Sequence, residues 1–234
     1  MGMRLDKYLA ASRAGSRSEV KEHIRKGQVL VNGIICKDPA AHVDETDEVT
    51  LAGTAVEYRK HVYFMLNKPA GVVSATEDAA EKTVIDLFPE DLRKGLFPIG
   101  RLDKDSVGLL LITDDGDLSH KLMSPKNHVD KRYLIRTDSP LDEADASSFK
   151  AGITLADGTD LLPASLEISP DDPTEAIVTI SEGKYHQVKR MIASRGKKVV
   201  YLRRISIGDL QLDPNLSEGQ FRELTDEELG ILNN

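Results

Sequence analysis

The run with the most chemical content in this 234-residue chain is Phe97-Pro-Ile-Gly-Arg-Leu-Asp103-Lys-Asp-Ser-Val-Gly-Leu-Leu-Leu-Ile-Thr-Asp-Asp-Gly116. A carboxylate in a glycine-flanked loop directly before an apolar strand can be held rigidly at the edge of a pocket by that strand. Asp103 is therefore the candidate catalytic group, able to serve as a base or a nucleophile. A competing reading is a local ion pair between Arg101 and Asp103 that only shapes the loop, the commoner fate of an arbitrary Arg-x-Asp. Calcium fails as a third reading. Asp103, Asp105, Gly108 and Asp114 match positions 1, 3, 6 and 12 of an EF-hand loop, but Val107 stands where an oxygen ligand is required and the twelfth residue is not a bidentate glutamate. No phosphate-binding Gly-x-x-x-x-Gly-Lys run, dinucleotide fingerprint, His-Glu-x-x-His pair or Gly-x-Ser-x-Gly elbow occurs.

A second run, Ile180-Ser-Glu-Gly-Lys-Tyr-His-Gln-Val-Lys-Arg-Met-Ile-Ala-Ser-Arg-Gly196, places Val188, Met191 and Ile192 on one helical face. From Lys184 to Arg204 there are eight basic residues and no acidic ones, a density that repels itself unless a polyanion covers it. The segment from Arg4 to Lys37 carries eight basic residues against three acids. The formal net charge of -8 argues against a nucleic-acid partner only as a global number, because phosphates meet a local surface. The compensating acids, in Asp44 to Glu48, Asp142 to Asp145 and Asp226 to Glu228, read as solvated faces. Two separated basic segments predict two contacts with one long polyanion.

The elements that must hold these groups divide the chain into residues 1–58 and 59–234. In the first part, Leu5, Tyr8 and Leu9 have the spacing of an amphipathic helix. A second helix opens with a Ser16/Glu19 capping box and closes at Gly27, and Arg17, Lys21 and Arg25 recur every four residues along it. Asn32-Gly33, between Gln28–Val31 and Ile34–Lys37, predicts a two-residue hairpin turn. Thr54 to Lys60, polar and without periodicity, is the expected linker. In the second part strands are expected at Val62–Asn67, Gly108–Thr113, Lys131–Thr137, Glu175–Ser181 and Val199–Ile207. Short helices are expected at Thr83–Phe88 and Asp117–Met123, with a further helix from Ser139-Pro140 to Gly152. Helices and strands mix without strict alternation, so the expected class is α+β on a largely antiparallel sheet.

Met3-Arg-Leu-Asp-Lys-Tyr-Leu, followed by Ser16-Arg-Ser-Glu-Val-Lys-Glu-His-Ile-Arg-Lys-Gly-Gln-Val-Leu-Val-Asn-Gly33, resembles an S4 RNA-binding domain. That resemblance implies a small S4-like α/β module whose second helix and hairpin grip structured RNA, with Arg4, Lys7, Arg17, Lys21, Arg25 and Lys26 as its contacts. Gly100-Arg-Leu-Asp103, Gly108-Leu-Leu-Leu-Ile-Thr113, Asn67-Lys-Pro-Ala-Gly71, Lys131-Arg-Tyr133 and Glu182-Gly-Lys-Tyr-His-Gln-Val-Lys-Arg-Met191 resemble the RsuA family of pseudouridine synthases. The implied reaction detaches uracil from C1′ of its ribose, turns the base and rejoins it through C5, with no cofactor and no metal. Asp103 aligns with the catalytic aspartate, Tyr133 with the residue that stacks on the extruded base and Lys189 with the cation that pairs with the aspartate. Leu202 aligns with an apolar pocket position; Arg101, Lys184 and Arg190 are further expected contacts to substrate or RNA. Lys189 in place of an arginine keeps the charge and loses the bidentate fork.

The implied substrate is small-subunit (16S) ribosomal RNA in an assembly intermediate, with uridine 516 of the family's ribosomal numbering as the target. Two alternatives stay open from sequence: a synthase for large-subunit RNA, and a non-catalytic ribosome-assembly factor that binds through its S4 module. The aspartate discriminates against the last, since an acid in a basic surface repels phosphate. With a single cysteine, Cys36, there is neither an internal disulfide nor a cysteine zinc site. No apolar run reaches the roughly 20 residues that a membrane span needs. A cytoplasmic monomer, not bound to membrane, is expected.

Overall fold

The computed structural model describes residues 2–12, 14–44, 46–56, 58 and 61–233. Arg13 of the basic segment and Glu57, Arg59 and Lys60 of the expected linker lie outside the described residues. The chain divides into two compact units, Met1–Val62 and Tyr63–Asn234.

The first unit runs β1 (Met3–Arg4), α1 (Leu5–Ala11), α2 (Arg17–Arg25), β2 (Val29–Val31), β3 (Ile34–Ile35), β4 (His42–Val43), β5 (Val49–Leu51) and β6 (Thr54–Ala55). Helix α2 starts at the capping box expected of it: the Glu19 amide donates to Ser16 Oγ and the Ser16 amide to Glu19 Oε2. Such a cap stabilises a helix start by about 1 kcal/mol. Val20 and Ile24 turn inward to meet Leu5, Tyr8, Leu9, Val29, Val43 and Val49, and Arg17, Lys21 and Arg25 run along the flank of that buried face of α2. Asn32 and Gly33 both adopt positive φ, the geometry of the predicted turn. Ala52-Gly53 repeats it, also with positive φ at both residues, and thereby makes Thr54–Ala55 a strand paired with β5. The expected linker is thus part of this unit at its start. Further along, Tyr58 stacks on Tyr8, whose hydroxyl donates to the Val56 carbonyl.

The second unit runs β7 (Tyr63–Lys68), β8 (Phe97–Ile99), β9 (Val107–Thr113), α3 (Gly116–Met123), β10 (Lys131–Thr137), α4 (Glu143–Ala151), β11 (Ser165–Ile168), β12 (Glu175–Ile180), α5 (Gln187–Ala193), β13 (Val199–Ile207), β14 (Leu210–Gln211), β15 (Phe221–Glu223) and α6 (Asp226–Asn233). Its sheet has the order β11-β12-β10-β13-β9-β7-β15, with β14 on β13 and β8 on β9. Of the pairings in this sheet only β9 with β13 is parallel, which makes the class the α+β arrangement expected. Strand β9 is buried at every residue, in keeping with its unbroken apolar run. Met65, Leu109 and Leu111 pack on one side with Leu118, Leu122 and Leu232, each buried aliphatic side chain contributing about 1.5–3 kcal/mol. Phe64, Phe88 and Phe221 form a ring cluster.

Gly108 is required where β9 meets β13. At φ +101° a Cβ there would lie 2.3 Å from the Arg204 carbonyl oxygen and 2.8 Å from its nitrogen.

Two expected helices differ from the sequence reading. Thr83–Phe88 contains only a 3-10 turn, Ile85–Leu87, because Phe88 is extended ahead of Pro89. Helix α4 begins at Glu143 instead of Pro140: the Leu141 amide is held by the Pro173 carbonyl, and Asp142 with Asp145 forms the capping box.

Candidate active site

Asp103 sits in the loop between β8 and β9, and the loop is tied from below. Lys68, fully buried at the end of β7, donates from Nζ to the carbonyls of Pro69 at 3.0 Å, Ser106 at 2.9 Å and Lys104 at 3.4 Å. Burial pushes the Lys68 ammonium down to about 8. On the other side Ser74 Oγ donates to the Leu102 carbonyl at 2.8 Å and accepts from the Leu102 amide at 3.0 Å. The Ser106 amide closes the turn onto the Asp103 carbonyl. The backbone of Asp103 is therefore fixed on both sides while its carboxylate remains one-quarter exposed.

Across the pocket, α5 supplies the cation. Lys189 Nζ lies 2.9 Å from Asp103 Oδ2 and 2.6 Å from Asp105 Oδ1, so one ammonium serves two carboxylates. Burial pulls the Lys189 ammonium down, but the hydrogen bonds it donates to Asp105 and Asp103 outweigh it and hold the group above the ordinary lysine range. The same bond from Lys189 holds the Asp105 carboxyl below its ordinary value. His186 Nε2 approaches Asp103 Oδ1 at 3.4 Å. The alternative ion pair between Arg101 and Asp103 is not formed. Arg101 is exposed and has no hydrogen-bonding or ionic partner among the described residues.

Asp103, Arg101, Tyr133, Lys184, His186 and Leu202 line one pocket. Tyr133 on β10 and Leu202 on β13 are 7% exposed, so each presents little more than an edge to the opening. The residues expected to bind substrate thus converge. His186 joins them in the pocket, and Asp105, Lys68 and Ser74 hold Lys189 and the Asp103 loop from outside it, none of them having been assigned a part in the chemistry. The signal for Lys68 was its place in Asn67-Lys-Pro-Ala-Gly71, and that for Asp105 its position two residues beyond Asp103.

The expectation of an uncompensated basic segment from Lys184 to Arg204 does not hold. Arg190 pairs with Asp157. Arg195 and Lys197 both pair with Asp145, which is 2% exposed and sits far from the solvated face expected of it. Burial opposes the charged form of Asp145, and Lys197 together with the capping amide of α4 outweighs it, so the carboxyl stays below its ordinary range. Lys184 donates to the Asp160 carbonyl and lies 3.5 Å from Glu182. Arg204 points inward, its Nε donating to the Leu109 carbonyl. In the first unit, Arg4 forks onto Asp6, Lys21 lies 3.7 Å from Asp6 and Lys26 lies 2.7 Å from Glu22. Lys7, Arg17 and Arg25 have no carboxylate partner among the described residues.

Comparison with known proteins gives this geometry a context. Residues 62–194 match the family described as RNA pseudouridylate synthase, and residues 3–49 match the S4 domain. A Bacillus subtilis (strain 168) protein named "Uncharacterized RNA pseudouridine synthase YtzG" is 49% identical over 235 residues, covering 99% of this chain and 98% of the relative. The Escherichia coli (strain K12) "Ribosomal small subunit pseudouridine synthase A" is 42% identical over 229 residues, covering 97% and 98%. A solved structure titled "Crystal structure of pseudouridylate synthase" superposes with a TM-score of 0.70 at 40% identity, covering 98% of this chain and 99% of that one. A pocket built around Asp103, a family match over that pocket and relatives alike from end to end lead to one assignment: the chain belongs to the RNA pseudouridylate synthase family and is an isomerase with an S4 domain.

Proposed function

We propose that this enzyme converts a uridine of small-subunit ribosomal RNA to pseudouridine, with Asp103 as the catalytic carboxylate. The observation that carries the reading is the convergence of Asp103, its 2.9 Å contact with Lys189, and Tyr133 on a single pocket. The names of relatives at 42% identity over nearly the whole chain support the small subunit as substrate. In the reaction the N1–C1′ bond breaks, the uracil turns, and a C5–C1′ bond forms as the C5 proton leaves and N1 gains one. A carboxylate on the ribose side can act on C1′ as nucleophile or on a ribose proton as base. Extruding the target base costs a few kcal/mol, which stacking on Tyr133 and contact with Leu202 offset. Arg101, exposed and without a partner among the described residues, is the proposed contact to a backbone phosphate. Lys184 and Arg190 bind RNA only by exchanging the protein acceptors they already hold.

The S4 unit supplies a separate grip through Arg4, Lys7, Arg17, Lys21, Arg25 and Lys26. No helix among the described residues is long and apolar enough to cross a membrane. The proposed setting is the cytoplasm, with the enzyme acting as a monomer on an assembly intermediate and uridine 516 as the target.

The test is pseudouridine mapping on separated small- and large-subunit RNA treated with purified enzyme and with Asp103→Asn. Modification at one small-subunit site by wild type, with a loss of at least about a thousandfold in the variant, is expected. Modification confined to large-subunit RNA would overturn the substrate, and turnover by Asp103→Asn within about a thousandfold of wild type would overturn the role of the carboxylate.

A further inference from the structure

One ring beside the pocket has no part in the reading above. Tyr185 is 76% exposed, more than any other large apolar side chain among the described residues. It is nevertheless placed: its ring lies on the His186 imidazole with centroids 3.8 Å apart and planes 18° from parallel. His186 lines the pocket and reaches to 3.4 Å from Asp103. The order outward from the carboxylate is therefore imidazole, then phenol ring, then solvent.

The turn that presents the pair is held from within the fold. Gln187, which is 4% exposed, accepts the Lys184 amide at 2.9 Å and donates to Glu182 at 2.8 Å. His186 itself has φ +49°, a left-handed conformation that non-glycine residues adopt at a cost and that clusters at functional sites. An ordered, outward-facing aromatic ring is the surface on which unstacked nucleobases settle, because every base has a π face and such stacking needs no sequence-specific hydrogen bond. Arg101, exposed and lining the same pocket, supplies positive charge for the adjoining phosphate.

We propose that Tyr185 and His186 form a stacking platform for the nucleobase adjacent in sequence to the uridine held at Asp103, so that the enzyme grips an unstacked pair of nucleotides and not the target base alone. This rests on the Asp103 pocket being the site of isomerisation.

The experiment uses the full-length enzyme and a small-subunit RNA fragment containing the modified uridine, with 2-aminopurine placed at its 5′ neighbour in one RNA and at its 3′ neighbour in another. Fluorescence from one of the two should be quenched on binding wild type and Tyr185→Phe, and not on binding Tyr185→Ala. Tyr185→Ala should raise KM by about 5- to 100-fold with a smaller change in kcat, the range expected for loss of one base–aromatic stack. An abasic nucleotide at the quenched position should weaken wild-type binding by a similar factor and leave Tyr185→Ala unaffected. Circular dichroism checks that Tyr185→Ala is folded. Quenching at neither position, or an abasic penalty equal in both proteins, overturns the platform. Wild-type modification of a different ribosomal RNA overturns the substrate reading alone, and the same measurements on a fragment of that RNA then decide the platform. Absence of turnover on any ribosomal RNA overturns both.

Discussion

On α2, Arg17 and Arg25 reach solvent with no carboxylate partner among the described residues, and Lys7 on α1 does the same. Between Lys184 and Arg204 the charge density is higher, yet Lys189, Arg190, Arg195 and Lys197 all contact aspartates and Arg204 is buried. The acids that neutralise this second stretch come from Asp103–Asp105, Asp145 and Asp157, remote in sequence and adjacent in space. Charge counted along a chain is thus not charge offered to a ligand. The first segment keeps Lys7, Arg17 and Arg25 without a carboxylate partner among the described residues, whereas the second builds a pocket wall in which one ammonium bridges two carboxylates.

The strongest way to break this contrast is to remove charge from each segment in turn. Changing Arg17, Lys21 and Arg25 together to Gln should lower RNA affinity roughly fiftyfold at about 0.1 M salt and reduce the slope of log affinity against log salt by about 1.5 to 2, carried by Arg17 and Arg25, since Lys21 already lies 3.7 Å from Asp6. Gln keeps helix propensity, so the module should stay folded. The matched change of Lys184, Arg190 and Arg195 to Gln should move that slope by less than about one unit, since these cations already have protein partners. Equal slope changes from the two triples, measured by binding titrations across salt, would erase the distinction.

A smaller effect is expected from Lys197→Gln, which removes one of two cations from the buried Asp145. Stability should fall by about 1–3 kcal/mol in denaturant unfolding, with the salt slope unchanged. No loss of stability would mean that the pair is incidental.

The mildest test concerns Lys68, a cation removed from solvent without a carboxylate in hydrogen-bonding range. Its pKa is about 8 in the fold against 10.5 for the free side chain. Below about pH 8 both folded and unfolded chains carry the proton and the penalty of burial is constant. Between the two values the unfolded chain binds more protons, so stability rises with pH. Wild type should gain about 1 kcal/mol over Lys68→Met from pH 8 to 9, read from denaturation midpoints. Parallel pH profiles for the two proteins would contradict it.

Local signals carried much of the architecture. Ser16 and Glu19 announce α2 and Asn32-Gly33 announces its hairpin, because each rests on contacts only a few residues apart, while the apolar run from Gly108 announces β9 by its burial and not by its distant partners β7 and β13. Family resemblance brought Asp103, Tyr133, Lys189 and Leu202 to one place. What stayed hidden was reciprocal: Asp105 holds the other side of Lys189 across 84 positions, and Asp145 is drawn inside by Lys197 across 52. Neither carboxylate has a local pattern that distinguishes it from a solvated acid. Thr54–Ala55 was misread for a related reason, since its strand exists through pairing with β5 and not through its own composition.

Gly108 fixes a dimension of the pocket. The parallel seam between β9 and β13 spans two registered pairs, Val107 with Arg203 and Gly108 with Arg204, and at Gly108 the main chain lies directly against the Arg204 backbone. One strand follows the Asp103 loop and the other carries Leu202. The separation between carboxylate and apolar wall is thereby set by the thickness of a backbone, which no mutation can trim and no rotamer can vary. Drift in the surrounding core can soften the protein while leaving this gauge intact, whereas any side chain at position 108 acts as a shim that widens it.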